Sequence, residues 1–213
     1  MSDTGSATDR EAHRDFLNRY YGLSRGFYDL TRRYFLLGRE PMLEHLASEP
    51  WDSLVEIGPG TGRNLIKLRA LRPTAAYGGV EASDAMLDHA KSKVPFAKLI
   101  HGFAEDADIR SVLGFAPDRI LFAYCLSMVQ EPLQALEHCR RQVAPGGEVV
   151  VADFGDMSGC PVPFRAAARR FLDTFHVYAL PDDELERLCL SSVHGLGRYW
   201  SLYRFGSLAA DTA

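Results

Sequence analysis

The residues with the clearest chemical meaning are Val55-Glu56-Ile57-Gly58-Pro59-Gly60-Thr61-Gly62-Arg63-Asn64. The pattern is an acid, then glycines at alternate positions, written ExGxGxG. Glycines spaced in this way let a ligand approach the backbone closely, and a helix starting behind them turns its N-terminal amides toward an anionic or polar group. A second acid, Glu81, stands at the end of the next apolar run, where a carboxylate can accept both hydroxyls of a ribose. Together they point to a nucleoside ligand. A dinucleotide fingerprint, GxGxxG, would need a glycine where this chain has Arg63, which disfavours a dehydrogenase.

Other side chains could do chemistry on whatever is bound. Tyr20, Tyr21, Tyr28, Tyr34, Tyr124 and His176 offer hydroxyl or imidazole groups, and Ser127 lies close behind Tyr124. The seven histidines fall at 13, 45, 89, 101, 138, 176 and 194, without HxxxH or HExxH spacing, so no metal site is expected. Cys125, Cys139, Cys160 and Cys189 form no CxxC, and ordinary thiols in a reducing compartment are expected.

These residues need elements to hold them. SLVEIG (53–58) reads as a buried strand running into the glycine loop, followed by a helix over 64–72. AAYGGVEAS (75–83) is the next strand, with Ser83 or Asp84 capping a helix through Lys93. Further strands lie in 96–102, 118–129 and 148–155, and a helix covers 131–143. Strand and helix alternate with short loops, which predicts a parallel sheet covered on both faces. Tyr124 and Ser127 then follow the fourth strand, at the carboxyl edge where such sheets bind ligands. A helix is expected over 164–176 and another over 182–190. The tail, 198–210, should pair antiparallel as the last sheet edge. Ahead of the sheet, residues 11–47 are helical and aromatic-rich, with Gly22 and Gly26 as hinges and Pro41 opening a new piece.

The 213 residues are 46% hydrophobic and carry a net charge of −4. That is enough apolar material for a full core, and the charge excludes nucleic acid as a whole-chain partner. The longest apolar stretch, about 120–129, is half of what a membrane span needs, and the N-terminus has no apolar signal region, so a cytoplasmic protein is expected. The charge is uneven. Residues 10–39 hold seven arginines against three acids, and Arg165, Arg169 and Arg170 stand among Phe164, Phe171 and Phe175.

Over residues 50–155 the chain resembles the class I S-adenosylmethionine (SAM)-dependent methyltransferases. The resemblance implies an α/β, Rossmann-like fold. Its seven-stranded sheet would be mostly parallel, with an antiparallel C-terminal edge. It divides the chain into an N-terminal helical cover (1–49) and a SAM-binding domain (50–213). It implies SAM as cofactor, held by Glu56, Gly58, Pro59, Gly60, Thr61, Gly62 and Asn64 in the first motif and Glu81 in the second. Ala82 and Met86 are then expected near the adenine, with Ala104 and Glu105 of HGFAEDADI (101–109) beside the purine; Phe103 stands where many members have Asp. Tyr124 is expected to contact cofactor and substrate, with Tyr28 and Ser127 as further catalytic candidates.

Three other segments, FYDLTRRYFLLGRE (27–40), YCLSMV (124–129) and ADFG with FRAAARRFLDTFHV (152–177), resemble the betaine-lipid (diacylglyceryl-homoserine) N-methyltransferases, which methylate a lipid headgroup amine. This implies a lipid amine acceptor and docking on an anionic membrane surface at the inner face. Weaker similarity runs to quinone and phospholipid methyltransferases. A quinone or soluble metabolite acceptor, aminocarboxypropyl transfer from the same cofactor, and a non-catalytic SAM-binding module are the competing readings.

Overall fold

A computed structural model describes residues 36–175 and 177–208. The described chain opens with helix α1 (Arg39–Ser48), in whose first turn Pro41 falls, as its missing N–H and fixed φ favour. The main body then alternates β1 (Ser53–Ile57), α2 (Arg63–Leu71), β2 (Ala76–Glu81), α3 (Asp84–Lys93), β3 (Lys98–His101), α4 (Ile109–Leu113), β4 (Arg119–Ala123), α5 (Pro132–Gln142) and β5 (Glu148–Phe154). It ends with α6 (Val162–Asp173), α7 (Asp182–Leu188), β6 (Ser191–His194) and β7 (Trp200–Gly206).

The seven strands form one sheet in the order β3-β2-β1-β4-β5-β7-β6. Strands β1 to β5 pair in parallel, and β7 runs antiparallel to both β5 and β6. Strands β1 and β4 are buried along their whole length, which fits their unbroken apolar runs, because helices cover both faces. One face packs α1 and α2 through Met42, Leu46, Leu65 and Leu68. The other packs α4 and α5 through Ile109, Val112 and Leu136.

Two features differ from the sequence expectation. The tail strand β7 is not the sheet edge. Its Leu202, Tyr203 and Phe205 are all buried, and it has a paired neighbour on the side away from β5 as well. The short polar strand Ser191-Ser192-Val193-His194 supplies that neighbour and forms the exposed edge, as suits a strand whose amides face water. The single turn α4 was also not foreseen. Asp108 nucleates it by accepting the Ser111 amide at 3.1 Å. The cap on α3 is Ser83, whose hydroxyl accepts the Met86 amide.

The sheet order reverses at β1 and β4, so their carboxyl ends splay apart into a crevice. The glycine loop follows β1 and the Tyr124-Cys125 segment follows β4, which sets them face to face across that crevice. Of the expected N-terminal cover, residues 1–35 lie outside the described residues. Tyr20, Tyr21, Tyr28 and Tyr34 are among them, and His176 is likewise outside.

Candidate active site

The glycine loop is held open by its backbone. Gly58, Gly60 and Gly62 all take positive φ, at 65°, 57° and 74°, a region that costs other L-residues energy. At Gly58 space matters as well: a Cβ there would lie 2.5 Å from the Cys125 sulfur. The Gly58 amide donates to the Val80 carbonyl at 2.8 Å, tying the loop to β2.

The Glu81 carboxylate sits at the same end of β2. One oxygen accepts the Gly60 amide at 3.0 Å and the other accepts the Ser83 amide, also at 3.0 Å. A carboxylate offers about four acceptor sites, so it can serve loop amides and sugar hydroxyls together.

Below the loop, Glu56 is 1% exposed and accepts a hydrogen bond from the Asn64 side-chain amide at 2.7 Å. Its other oxygen, and the Asn64 amide oxygen, have no hydrogen-bond partner among the described residues. Burial pushes the Glu56 carboxyl up to about 8, against the opposing pull of the Asn64 bond and the Arg39 guanidinium.

Of the residues expected at the cofactor, Gly58, Gly60, Glu81, Ala82, Met86, Ala104, Glu105 and Tyr124 line one crevice. The others stand behind it. Pro59 is buried close to Gly79, Gly62 seats the start of α2 against Val94, and Glu56 and Asn64 support the loop from beneath. Thr61 faces a separate outer groove with Arg63, Lys67, His89 and Lys93.

The segment after β4 carries the other wall. Tyr124 takes a positive φ of 57°, which is strained for an aromatic residue. Its amide donates to the Ala152 carbonyl at 2.7 Å, and its hydroxyl accepts the buried Gly38 amide at 2.7 Å. Burial holds the phenol above its ordinary range, so it stays protonated. A 3-10 turn, Leu126–Met128, follows. In such a turn residues three apart lie on the same side, so Cys125 and Met128 both face the crevice while Ser127 turns inward. Ser127 is buried, with its amide and hydroxyl both donating to Asp153, at 3.0 and 2.7 Å. The structure therefore separates Tyr124, which lines the crevice, from Ser127, which ties the turn to β5.

Cys125, Met128, Val129, Gly102 and Phe103 also line the crevice without having been singled out as contacts. The signal for the first three was the YCLSMV segment itself, but an apolar run does not reveal which residues a 3-10 turn will point outward. Among the described residues no group of three or more His, Cys, Asp and Glu could hold a metal ion, and no helix is long and apolar enough to cross a membrane.

The residues present fit SAM. Glycines without side chains approach the crevice, a carboxylate stands where a ribose would be gripped, a buried acid with an unsatisfied oxygen lies under the loop, and Val80, Met86 and Ala104 make an apolar wall for a purine.

Comparison with known proteins agrees with this geometry. Residues 55–149 match the family model described as Methyltransferase domain. A curated relative, an uncharacterized 37.1 kDa protein in transposon TN4556 of Streptomyces fradiae, is 26% identical over 126 residues, covering 59% of this chain; the match takes in 35% of the relative's length. Among solved structures, an O-methyltransferase family protein from Burkholderia thailandensis superposes with a TM-score of 0.62 at 17% identity, covering 85% of this chain and 60% of that one. The SAM-bound CalS10 amino pentose methyltransferase from Micromonospora echinaspora gives a TM-score of 0.50 at 22% identity, covering 59% of this chain and 55% of that one. The chain therefore has the class I, Rossmann-like fold of the SAM-dependent methyltransferases, and over residues 55–149 it is similar to a methyltransferase domain.

Proposed function

We propose that this chain is a SAM-dependent N-methyltransferase whose acceptor is the amine of a lipid headgroup, as in the conversion of diacylglyceryl-homoserine to its trimethylated betaine lipid. The observation that carries the methyl-transfer reading is the Glu81 carboxylate bonded to the Gly60 amide at the point where the sheet order reverses. SAM supplies an electrophilic methyl on a sulfonium, with a neutral leaving group.

What remains for the protein is binding, orientation and exclusion of water. Glu81 and the glycine loop would hold the cofactor's sugar and amino acid ends, and Ala82, Met86, Ala104 and Glu105 its base. Tyr124, pinned by Gly38 and forced into a positive φ, fixes the wall facing the loop. An acceptor amine must arrive unprotonated, and apolar walls disfavour its ammonium form. The Tyr124 phenol, held protonated, acts there as a fixed polar group rather than as a base.

Rings support a cationic product. Tyr124 and Phe154 meet edge to face at 4.9 Å, and Phe154 and Tyr199 at 5.9 Å. Ring faces attract a trimethylammonium group. The lipid part of the reading is supported by α6, a helix buried only through Leu172, with Val162, Phe164 and Phe171 exposed. Membrane docking rests on fewer arginines than expected, because the Arg169 guanidinium donates inward to the Gly155 and Asp156 carbonyls. Arg165 and Arg170 are left to face an anionic surface.

The test is incubation with SAM and vesicles containing the lipid amine, followed by mass analysis of both products. Methylated lipid with S-adenosylhomocysteine supports the reading. Equal turnover of a soluble amine without vesicles would move the acceptor to a small metabolite, and methylthioadenosine would move the chemistry to aminocarboxypropyl transfer.

A further inference from the structure

On the outer side of the glycine loop, between α2 and α3, lies a groove of about 340 Å3. Thr61, Arg63, Ile66, Lys67, His89 and Lys93 line it. Helical spacing explains the grouping. Arg63, Ile66 and Lys67 stand three and four apart on α2, and His89 and Lys93 stand four apart on α3, so each set shares one helix face. Gly62 lets the two helices meet closely: a Cβ there would lie 2.8 Å from Val94, the residue that closes α3.

The lining carries three cations and an imidazole, and no acid, in a chain whose net charge is −4. Among the described residues, Lys67 pairs with Glu40 of α1, whereas the side chains of Arg63, His89 and Lys93 have no hydrogen bond or ion pair. The Lys67–Glu40 pair is at the surface, where such contacts contribute little. Arg63 and His89 are half-buried all the same. Cations gathered in one small groove repel one another, and an anion seated among them offsets that cost. Ile66 is 46% exposed and offers an apolar contact beside the charges. The volume falls in the range of small-molecule sites. Exposed acids, Glu40 on α1 and Asp88 on α3, adjoin it, so an extended polyanion would run into like charge.

We infer that this groove is a second ligand site, for a small molecule bearing phosphoryl groups. Arg63 supplies a planar fork that matches two phosphoryl oxygens, while Lys67 and Lys93 supply point charges from the two helices. A phosphate carries up to about two negative charges at neutral pH, so a di- or triphosphate balances the three cations. The site is distinct from the cofactor crevice, with which it shares no lining residue. Gly60 and Thr61, neighbours in one loop, face the two sites separately. The inference goes beyond the methyl-transfer reading and does not depend on it.

The experiment titrates inorganic tripolyphosphate into the full chain at constant ionic strength, read by calorimetry. Saturable binding of one tripolyphosphate per chain is expected. Arg63→Gln combined with Lys93→Gln should weaken it about tenfold or more, the scale of one lost charge-assisted hydrogen bond. Ile66→Glu adds a carboxylate to the groove without removing a cation, and should weaken binding as well. Arg165→Gln combined with Arg170→Gln removes the same number of charges from α6 and should bind as the parent does. Melting temperatures without the probe, equal to the parent's, show that the variants are folded. Absence of saturable binding by the parent up to millimolar tripolyphosphate overturns the proposal. So does parental affinity in both groove variants. Equal weakening by the α6 variant overturns it too, because net charge alone then governs the binding.

Discussion

The Glu81 carboxylate accepts the amide of Gly60 at 3.0 Å, so the acid that ends β2 also shapes the loop that ends β1. Ligand grip and loop geometry thereby share one side chain. Glu81→Ala removes both, and SAM affinity should fall by about 1.5 to 3 kcal/mol, the scale of lost hydrogen bonds to a charged group. Titration calorimetry reads this directly. Unchanged affinity would remove Glu81 from the cofactor site.

Gly58 faces Cys125 across the crevice. Gly58→Ala places a methyl group where the sulfur stands and asks alanine to hold a φ of 65°. The backbone term alone costs about 1 to 2 kcal/mol. SAM affinity should drop about tenfold or more. Adding Cys125→Ala removes the sulfur but leaves a Cβ 3.2 Å away, so the double variant should recover part of the loss. No recovery would mean that backbone strain, not the sulfur contact, decides the residue at 58.

Much of this site was legible in the sequence. The ExGxGxG run, the acid at 81 and the serine cap at 83 are local signals, each fixed by a turn or helix end within a few residues. The features that were not legible depend on tertiary context. Whether 198–210 forms an edge is decided by whether another strand pairs along its free side, here the short polar 191–194, which no pattern within 198–210 encodes. Ser127 and Cys125 look equally placed in YCLSMV, yet a 3-10 turn sends one to Asp153 and the other to the crevice. Pro59 and Gly62 lie within the glycine motif and still stand outside the ligand space, Pro59 close to Gly79 and Gly62 against Val94.

Tyr124 closes the path between the sheet and the start of α1. Tyr124→Phe keeps the ring contacts with Phe154 but leaves the buried Gly38 amide without its acceptor. Stability should fall by about 1 to 3 kcal/mol, read as an earlier urea midpoint with an unchanged slope. Turnover should fall with KM for the acceptor raised, since the wall it lies against is loosened. A variant as stable as the parent would show that the Gly38 bond contributes nothing.

Ser127 separates a positioning role from a chemical one. Ser127→Ala deletes the 2.7 Å bond to Asp153 but keeps the amide bond to the same carboxylate. Stability should fall by about 1.5 to 3 kcal/mol, while the pH profile of turnover keeps its shape. Loss of turnover with full stability would place the hydroxyl in the reaction.

The buried Glu56 makes stability depend on pH in a direction that can be worked out. Its carboxyl ordinarily titrates at 4.5 and in the fold is pushed up to about 8 by burial. Between those values the folded chain holds a proton that the unfolded chain has released. Stability therefore falls as pH rises through this window, by at most about 1.4 kcal/mol per pH unit. Other groups add slopes of their own, Asp182 raised and His45 lowered by burial, so the parent curve alone is not decisive. Glu56→Gln keeps the shape and an acceptor for Asn64 but cannot ionise, and subtracting its curve cancels the rest. The difference in melting temperature, parent minus variant, should decline steadily from pH 5 to pH 8. A bound cation near the loop favours the ionised acid, so the rise in melting temperature on adding SAM should grow with pH in the parent and stay flat in Glu56→Gln. Thermal melts across that range, with and without SAM, test both. A flat difference curve would mean that Glu56 is already ionised in the fold, its charge balanced by Arg39 and Asn64.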